Sequence, residues 1–140
     1  MITQPTIKDT DELLNLWEAA VDENYPLASY EWMSQARNTL KKEAQLLPAL
    51  RVLKSENGKI VAVIRVDDGI INFLYVHPCE RRKEHAQQLV GYVLNHMKIK
   101  GAMLRRPRHD TISFYESNGF KLEKETLSSG HKVFLTYQQP

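Results

Sequence analysis

Arg81, Arg82 and Lys83 stand between two apolar segments of different period. Upstream, Ile70-Ile71-Asn72-Phe73-Leu74-Tyr75-Val76 is β-branched and aromatic and stops at Pro78, which predicts a central strand buried on both faces. Downstream, Ala86, Leu89, Val90, Val93, Leu94 and Met97 recur at helical spacing. Strand, basic turn and helix together place the unpaired backbone N–H groups of a helix N-terminus beside cationic side chains. Such a junction can dock a phosphate. A solvated charged turn is the plainer reading of the same three residues.

Other chemistries find less support. Cys79 is the single cysteine, so neither an intrachain disulfide nor a cysteine-based metal site can form. The five histidines are scattered without helical or hairpin ligand spacing, so no metal is expected. A net charge of +2 is too small to argue for nucleic acid or a membrane surface. The basic run Arg105-Arg106-Pro107-Arg108-His109 is short and lacks the interleaved aromatics on which bases stack. No apolar run approaches the roughly 20 residues that cross a bilayer. The N-terminal residues show no basic-then-apolar export pattern, so a cytoplasmic location is the expectation.

The elements that must position the junction follow from period and punctuation. Length and a 42% apolar fraction fit one soluble domain over residues 1–140, with one core. Met1 to Ile7 reads as an edge strand because of Pro5. Asp9, with Glu12 three residues on, reads as the cap of a helix carrying Leu13, Leu16, Trp17, Ala20 and Val21 inward. A second helix is expected from Ser29, ending before Pro48. Trp17, Tyr25, Tyr30 and Trp32 read either as core packing or as aromatics over a substrate cleft. From Leu50 the period becomes that of strands, with Asn57-Gly58 and Asp68-Gly69 as two-residue hairpin turns. Ala102 to Arg105 should lie parallel to the Ile70 to Val76 strand through a right-handed crossover. A short helix capped by Asp110 or Thr111 and closed by Gly119 follows, then a hairpin over Lys121 to Tyr137. The order βααβββαβαββ is an α/β architecture: a mixed, mostly antiparallel sheet with helices on both faces.

This order, with two local motifs, resembles the GNAT superfamily of acyl-CoA-dependent N-acyltransferases, most closely its small bacterial single-domain members. That family's first motif runs from a strand into Val-x-Pro, then two residues, Arg or Gln, two residues, Gly, one residue, and Gly or Ala. Here it reads Val76-His77-Pro78-Cys79-Glu80-Arg81-Arg82-Lys83-Glu84-His85-Ala86. The second, Phe-Tyr-x-x-x-Gly-Phe, is matched in full by Phe114-Tyr115-Glu116-Ser117-Asn118-Gly119-Phe120, about 30 residues on.

The resemblance implies acetyl-CoA as cosubstrate, an amine as acceptor, no metal, and a monomer or homodimer. It implies that backbone N–H groups from Arg82 through Ala86, with His85 among them, receive the coenzyme pyrophosphate. Arg81 to Lys83 would add charge. It implies that backbone groups of Leu74, Tyr75 and Val76 bond the pantetheine arm where two strands splay, with Phe114 beside the coenzyme. Tyr115 would protonate the departing thiolate as general acid after direct attack by the amine. Tyr25, Trp32 and Asn72 would shape the acceptor pocket. The general base stays open among Asp67, Asp68, Asn72 and His77.

Two residues depart from the family pattern. Glu84 occupies the place of the first loop glycine, bringing a Cβ and a carboxylate toward two phosphates. In the first turn of the helix the same carboxylate would favour the helix itself. Arg108 stands where relatives often carry Asn, and it could steer an acidic ligand or a coenzyme phosphate. Three functional classes are therefore weighed: an N-acetyltransferase, a degenerate domain of the same fold that binds acyl-CoA or a protein partner without turnover, and an unrelated α/β binding module.

Overall fold

A computed structural model of the chain describes residues 1–24, 38, 44–80, 84–105, 109–123 and 132–138. Strands β1 (Ile2–Thr3), β2 (Leu50–Lys54), β3 (Ile60–Asp67), β4 (Ile70–Val76), β5 (Gly101–Arg105), β6 (Phe120–Leu122) and β7 (Lys132–Tyr137) alternate with helices α1 (Thr10–Asn24), α2 (His85–His96) and α3 (His109–Ser117). The strands form one seven-stranded sheet in the order β1-β2-β3-β4-β5-β7-β6. β4 and β5 are parallel, whereas β1 with β2, β5 with β7 and β6 with β7 are antiparallel. The mixed sheet and the crossover through α2 are as the sequence predicts. The second expected helix, with Trp32, lies outside the described residues apart from Asn38, which is helical, and its end, and Tyr25 before it lies outside them too. There Ala44–Ala49 forms a 3-10 helix that runs through Pro48 instead of stopping before it.

By contact density the chain divides into two compact units: Met1–Ile64 with Leu74–Leu89, and Arg65–Phe73 with Val90–Pro140. In the first, the doubly buried strand is β3, where Ile60, Val61, Ala62, Val63 and Ile64 are all buried in succession. The sequence assigned that role to β4, where only Ile71 is buried and the residues from Asn72 to Val76 are half-buried. Both strands carry continuous apolar runs, and a run does not say which of two neighbours is covered on both faces.

The start of α1 also differs from the expectation. Ile7–Asp9 forms a 3-10 turn, and Asp9 accepts a hydrogen bond at Oδ2 from the Thr6 backbone N–H at 2.8 Å. Asp9 therefore caps back onto Thr6, while α1 begins after it at Thr10. Glu12 does not complete a capping box. Its Oε2 accepts from the backbone N–H of Ile60, tying α1 to the first residue of β3. Leu14 and Leu16 are each 2% exposed, whereas Leu13, assigned to the inward stripe, is only half-buried. Lys54 Nζ lies 3.2 Å from Asp9 Oδ1. The Thr6 N–H, with help from Lys54, holds the Asp9 carboxyl below its usual range against the opposing effect of burial. A lowered folded value contributes stability that is present above the ordinary carboxylate range and lost as pH falls through the folded value. Asp9→Asn should accordingly lower the thermal midpoint at pH 7 and shrink its dependence on pH below 4 or so. Parallel pH–stability curves for the two proteins would contradict this.

In the second unit, Asp68 and Gly69 adopt φ of 51° and 81°, which makes the expected two-residue turn between β3 and β4. The Asn57-Gly58 turn is longer than expected. Gly58 N donates to Ser55 O and Ser55 N donates to Lys59 O, so Glu56, Asn57 and Gly58 form a three-residue loop, with Gly58 at φ 80°. Leu89, Val90 and Val93 of α2 are fully buried, as their spacing predicts. Gly101 opens β5 instead of merely closing the turn, and it pairs with Thr136 of β7.

Candidate functional site

The strand-to-helix junction lies in the first unit. The β3–β4 pairing continues one residue past β4, where His77 N donates to Val61 O at 2.8 Å. Pro78, which has no N–H to extend a ladder, then opens a 3-10 turn over Pro78–Glu80. His77 Nδ1 accepts from the Cys79 N–H at 3.1 Å, so this ring is committed to holding the turn. Arg81, Arg82 and Lys83 lie outside the described residues. The chain re-enters at Glu84, whose φ is 63°.

That angle is the central observation at the junction. The left-handed region costs a residue with a Cβ about 1–2 kcal/mol and is where glycine is ordinarily found. Glu84 thus keeps the backbone conformation that a loop glycine would supply, although its side chain is not glycine's. It is exposed. It also precedes α2 instead of lying in its first turn, since Glu84 O accepts the first helical bond, from Gln88 N at 3.0 Å. The amides of His85 and Ala86 therefore lie ahead of the helical ladder, where a helix offers N–H groups to an anion. His85 Nε2 is 3.4 Å from Glu80 Oε2. Its Nδ1 is buried with no hydrogen-bond partner among the described residues. The role of Glu80 had no signal in the sequence, because the pair spans a turn whose geometry the sequence does not set. Leu74, Tyr75 and Val76 are half-buried.

The second unit holds the other candidates. The parallel register of β4 with β5 is Ile70↔Gly101 and Ile71↔Ala102, and it goes no further among the described residues, although both strands continue. Tyr115 is only 2% exposed. Phe114 and Phe120 meet its ring edge-on, each with centroids 5.3 Å away. Phe120 in turn packs on Tyr137 at 5.0 Å. Gly119, at φ 93°, reverses the chain after α3 and allows this cluster to close. Burial pushes the Tyr115 phenol far above the ordinary tyrosine range. It therefore holds its proton throughout neutral pH. Asp110 lies inside the first turn of α3, not at its cap, and accepts at Oδ1 from the Thr111 N–H at 2.9 Å. Arg108 is outside the described residues.

Asp67 and Asn72, two of the residues left open as base or acceptor contact, meet directly: Asn72 Nδ2 donates to Asp67 Oδ2. Arg65, which the sequence reading missed, donates from Nε to the same oxygen at 2.7 Å. Residues two apart on a strand share a face, so Arg65 and Asp67 had a readable signal. Among the described residues, no group of three or more His, Cys, Asp or Glu side chains could hold a metal ion. No helix among them is long and apolar enough to cross a membrane.

Comparisons with known proteins converge on one family. The model of a family described as an acetyltransferase (GNAT) domain matches residues 49–122. No curated protein sequence matches the chain. Among solved structures it is similar to a PaiA N-acetyltransferase from Thermoplasma acidophilum, determined in complex with coenzyme A, with a TM-score of 0.78 and 16% identity over 99% of this chain and 98% of that one. It is similar to PH1933 from Pyrococcus horikoshii, with a TM-score of 0.78 and 19% identity over 100% and 98% of the two chains. It is similar also to the apo form of YjaB from Escherichia coli, with a TM-score of 0.75 and 20% identity over 100% and 98%. At these identities the likeness speaks for the fold.

Proposed function

The chain belongs to the GNAT acetyltransferase family, and from that premise we propose that residues 1–140 work as one N-acetyltransferase domain, moving an acetyl group from acetyl-CoA to a primary amine of a small molecule or peptide. The observation that carries this reading is Glu84 at φ 63°, directly before the N-terminus of α2. Ordinary turns use that conformation too, as Asp68 does, but at the entrance to a helix it is also what a loop needs to bring backbone N–H groups onto phosphate. The coenzyme A bound in the Thermoplasma acidophilum relative supports the same cosubstrate here.

In this reading the amides from Arg82 to Ala86, with the charges of Arg81, Arg82 and Lys83, hold the pyrophosphate. Arg108 and Phe114 complete the coenzyme site. The backbone of Leu74, Tyr75 and Val76 bonds the pantetheine arm in the manner of an added strand, an arrangement that the early end of the β4–β5 ladder supports. Tyr25, Trp32 and Asn72 shape the acceptor pocket. The amine nitrogen attacks the thioester carbonyl, a C–N bond forms, and the C–S bond breaks. Tyr115 gives its proton to the leaving thiolate, and the proton lost by the amine restores the balance. The phenol carries the proton that this task needs, although burial, by raising it, also makes it a weaker acid. The test is release of free coenzyme thiol from acetyl-CoA on addition of primary amines. Thiol release that depends on amine supports the reading, and none across alkyl, diamine and peptide amines would overturn it.

Glu84 also favours a second reading, a domain that binds acyl-CoA or a protein partner without turnover, because a carboxylate at this loop position would repel a bound phosphate. Glu84→Gly separates the contributions. It removes a left-handed Cβ and one negative charge, so coenzyme A should bind about tenfold more tightly. Relief of the left-handed strain should raise stability by about 1 kcal/mol or less, because the added freedom of the unfolded chain offsets part of the gain. Calorimetric affinity that is unchanged or weaker would show that the carboxylate does not oppose the coenzyme.

A further inference from the structure

Asn72 occupies a singular place on β4: it is the first residue past Ile71↔Ala102, the last pair of the parallel register with β5 among the described residues. Its carboxamide is not free to turn. Nδ2 donates to Asp67 Oδ2, and that oxygen also receives Arg65 Nε at 2.7 Å, while Arg65 Nη2 reaches Asp67 Oδ1 at 3.4 Å. An ionised carboxylate can only accept, so the amide must face it with nitrogen, and Oδ1 is turned the other way. A lone structural ion pair between neighbours on one strand would need only Arg65 and Asp67. The third member adds orientation, and it adds it at the strand position directly past the last β4–β5 register pair.

Resting on the acetyltransferase reading, we infer that Asp67 is a positioning residue. Clamped by Arg65, it fixes the carboxamide of Asn72 so that Oδ1 is presented to an N–H of the acceptor amine. The neutral carbonyl oxygen orients the amine without trapping it as an ion pair, so the nitrogen lone pair stays available for attack. Asp67 itself, already accepting from two donors, is a poor candidate for general base.

The test uses the full-length, ¹⁵N-labelled chain, with the Asn72 carboxamide signals identified by their loss in Asn72→Leu. These signals are followed during titration with n-butylamine and with triglycine, each with and without acetyl-CoA. Both should shift progressively in the wild type and in Asp67→Glu, which keeps a carboxylate, but not in Asp67→Leu. The KM for the amine should rise about tenfold in Asp67→Leu, the loss expected for one hydrogen bond, while the affinity for acetyl-CoA stays constant. A merely structural role would move both constants together. Asn72 signals unmoved by either amine in the wild type would overturn the inference, even if Asp67→Leu fails to fold. A wild type that binds no acetyl-CoA would overturn the transferase reading instead, and the amine titration alone would still decide the role of Asp67.

Discussion

Tyr115→Phe is expected to slow acetyl transfer by about 10²- to 10⁴-fold, the usual contribution of a positioned general acid, while leaving the affinity for acetyl-CoA unchanged. The substitution removes one oxygen and keeps the ring, so the edge contacts with Phe114 and Phe120 persist. Comparing initial rates of thiol release with calorimetric affinities separates chemistry from binding. A rate within a few fold of the wild type would remove Tyr115 from the role of acid. The pH dependence gives an independent check. The phenol is raised by burial, so activity should persist past the ordinary tyrosine value of about 10 without an alkaline limb due to this group. The same shift makes a prediction for folding. A phenol raised in the folded state contributes stability that is fully present below about 10 and is lost as pH rises beyond it, because the unfolded chain ionises first.

The largest expected effect on folding belongs to Gly101→Ala. A Cβ built at Gly101 would lie 2.3 Å from the backbone carbonyl oxygen of Leu135 and 2.9 Å from Phe134 Cζ. The first neighbour belongs to β7, held by the register Ala102↔Leu135 and Gly101↔Thr136, so it cannot give way as a flexible side-chain end would. Either β5 and β7 part at this point or the added methyl forces a backbone shift. The expected loss is about 3 kcal/mol or more, read as a fall in Tm on the order of 10 °C. Gly91→Ala is the matched control. Gly91 lies inside α2 with nothing within 4 Å of the added Cβ, so the same change there should stabilise by about 0.5–1 kcal/mol. Equal Tm values for the two variants would contradict this account of β5 packing.

What was legible in the sequence, and what was not, divides along physical lines. The α2 stripe, the Asp68-Gly69 turn and the parallel return of β5 were readable because period and turn chemistry act over a few residues. Gly119 was readable for the same reason: its φ of 93° is a local demand. The side chains that tie distant segments together were not. Glu12 looked like a capping partner, but it serves the Ile60 N–H, 48 residues away. Asp9 caps backward onto Thr6 because a 3-10 turn precedes α1, a choice that several nearby polar residues would have allowed. The apolar runs of β3 and β4 are interchangeable on paper, and only the assembled sheet makes β3 the strand buried on both faces.

The candidate site follows the same rule. Glu84 was visible as a departure from a glycine, but its left-handed backbone was not, since propensity argues against that angle for a residue with a Cβ. The Phe114-Tyr115 pair stood out as a motif. The fully buried ring of Tyr115 depends on Phe120 meeting it edge-on, with Tyr137 packed on Phe120 in turn. Asp67 and Asn72 were separate candidates, and Arg65 was not one, until the turn at Asp68-Gly69 folded the three together.

The central claim is that a junction headed by Glu84 binds an acyl-coenzyme. Titration calorimetry of the unmodified protein with acetyl-CoA and, separately, with free coenzyme A tests it most directly. The account predicts saturable binding of both ligands with micromolar dissociation constants, roughly −8 kcal/mol. No heat of binding at millimolar ligand would contradict it.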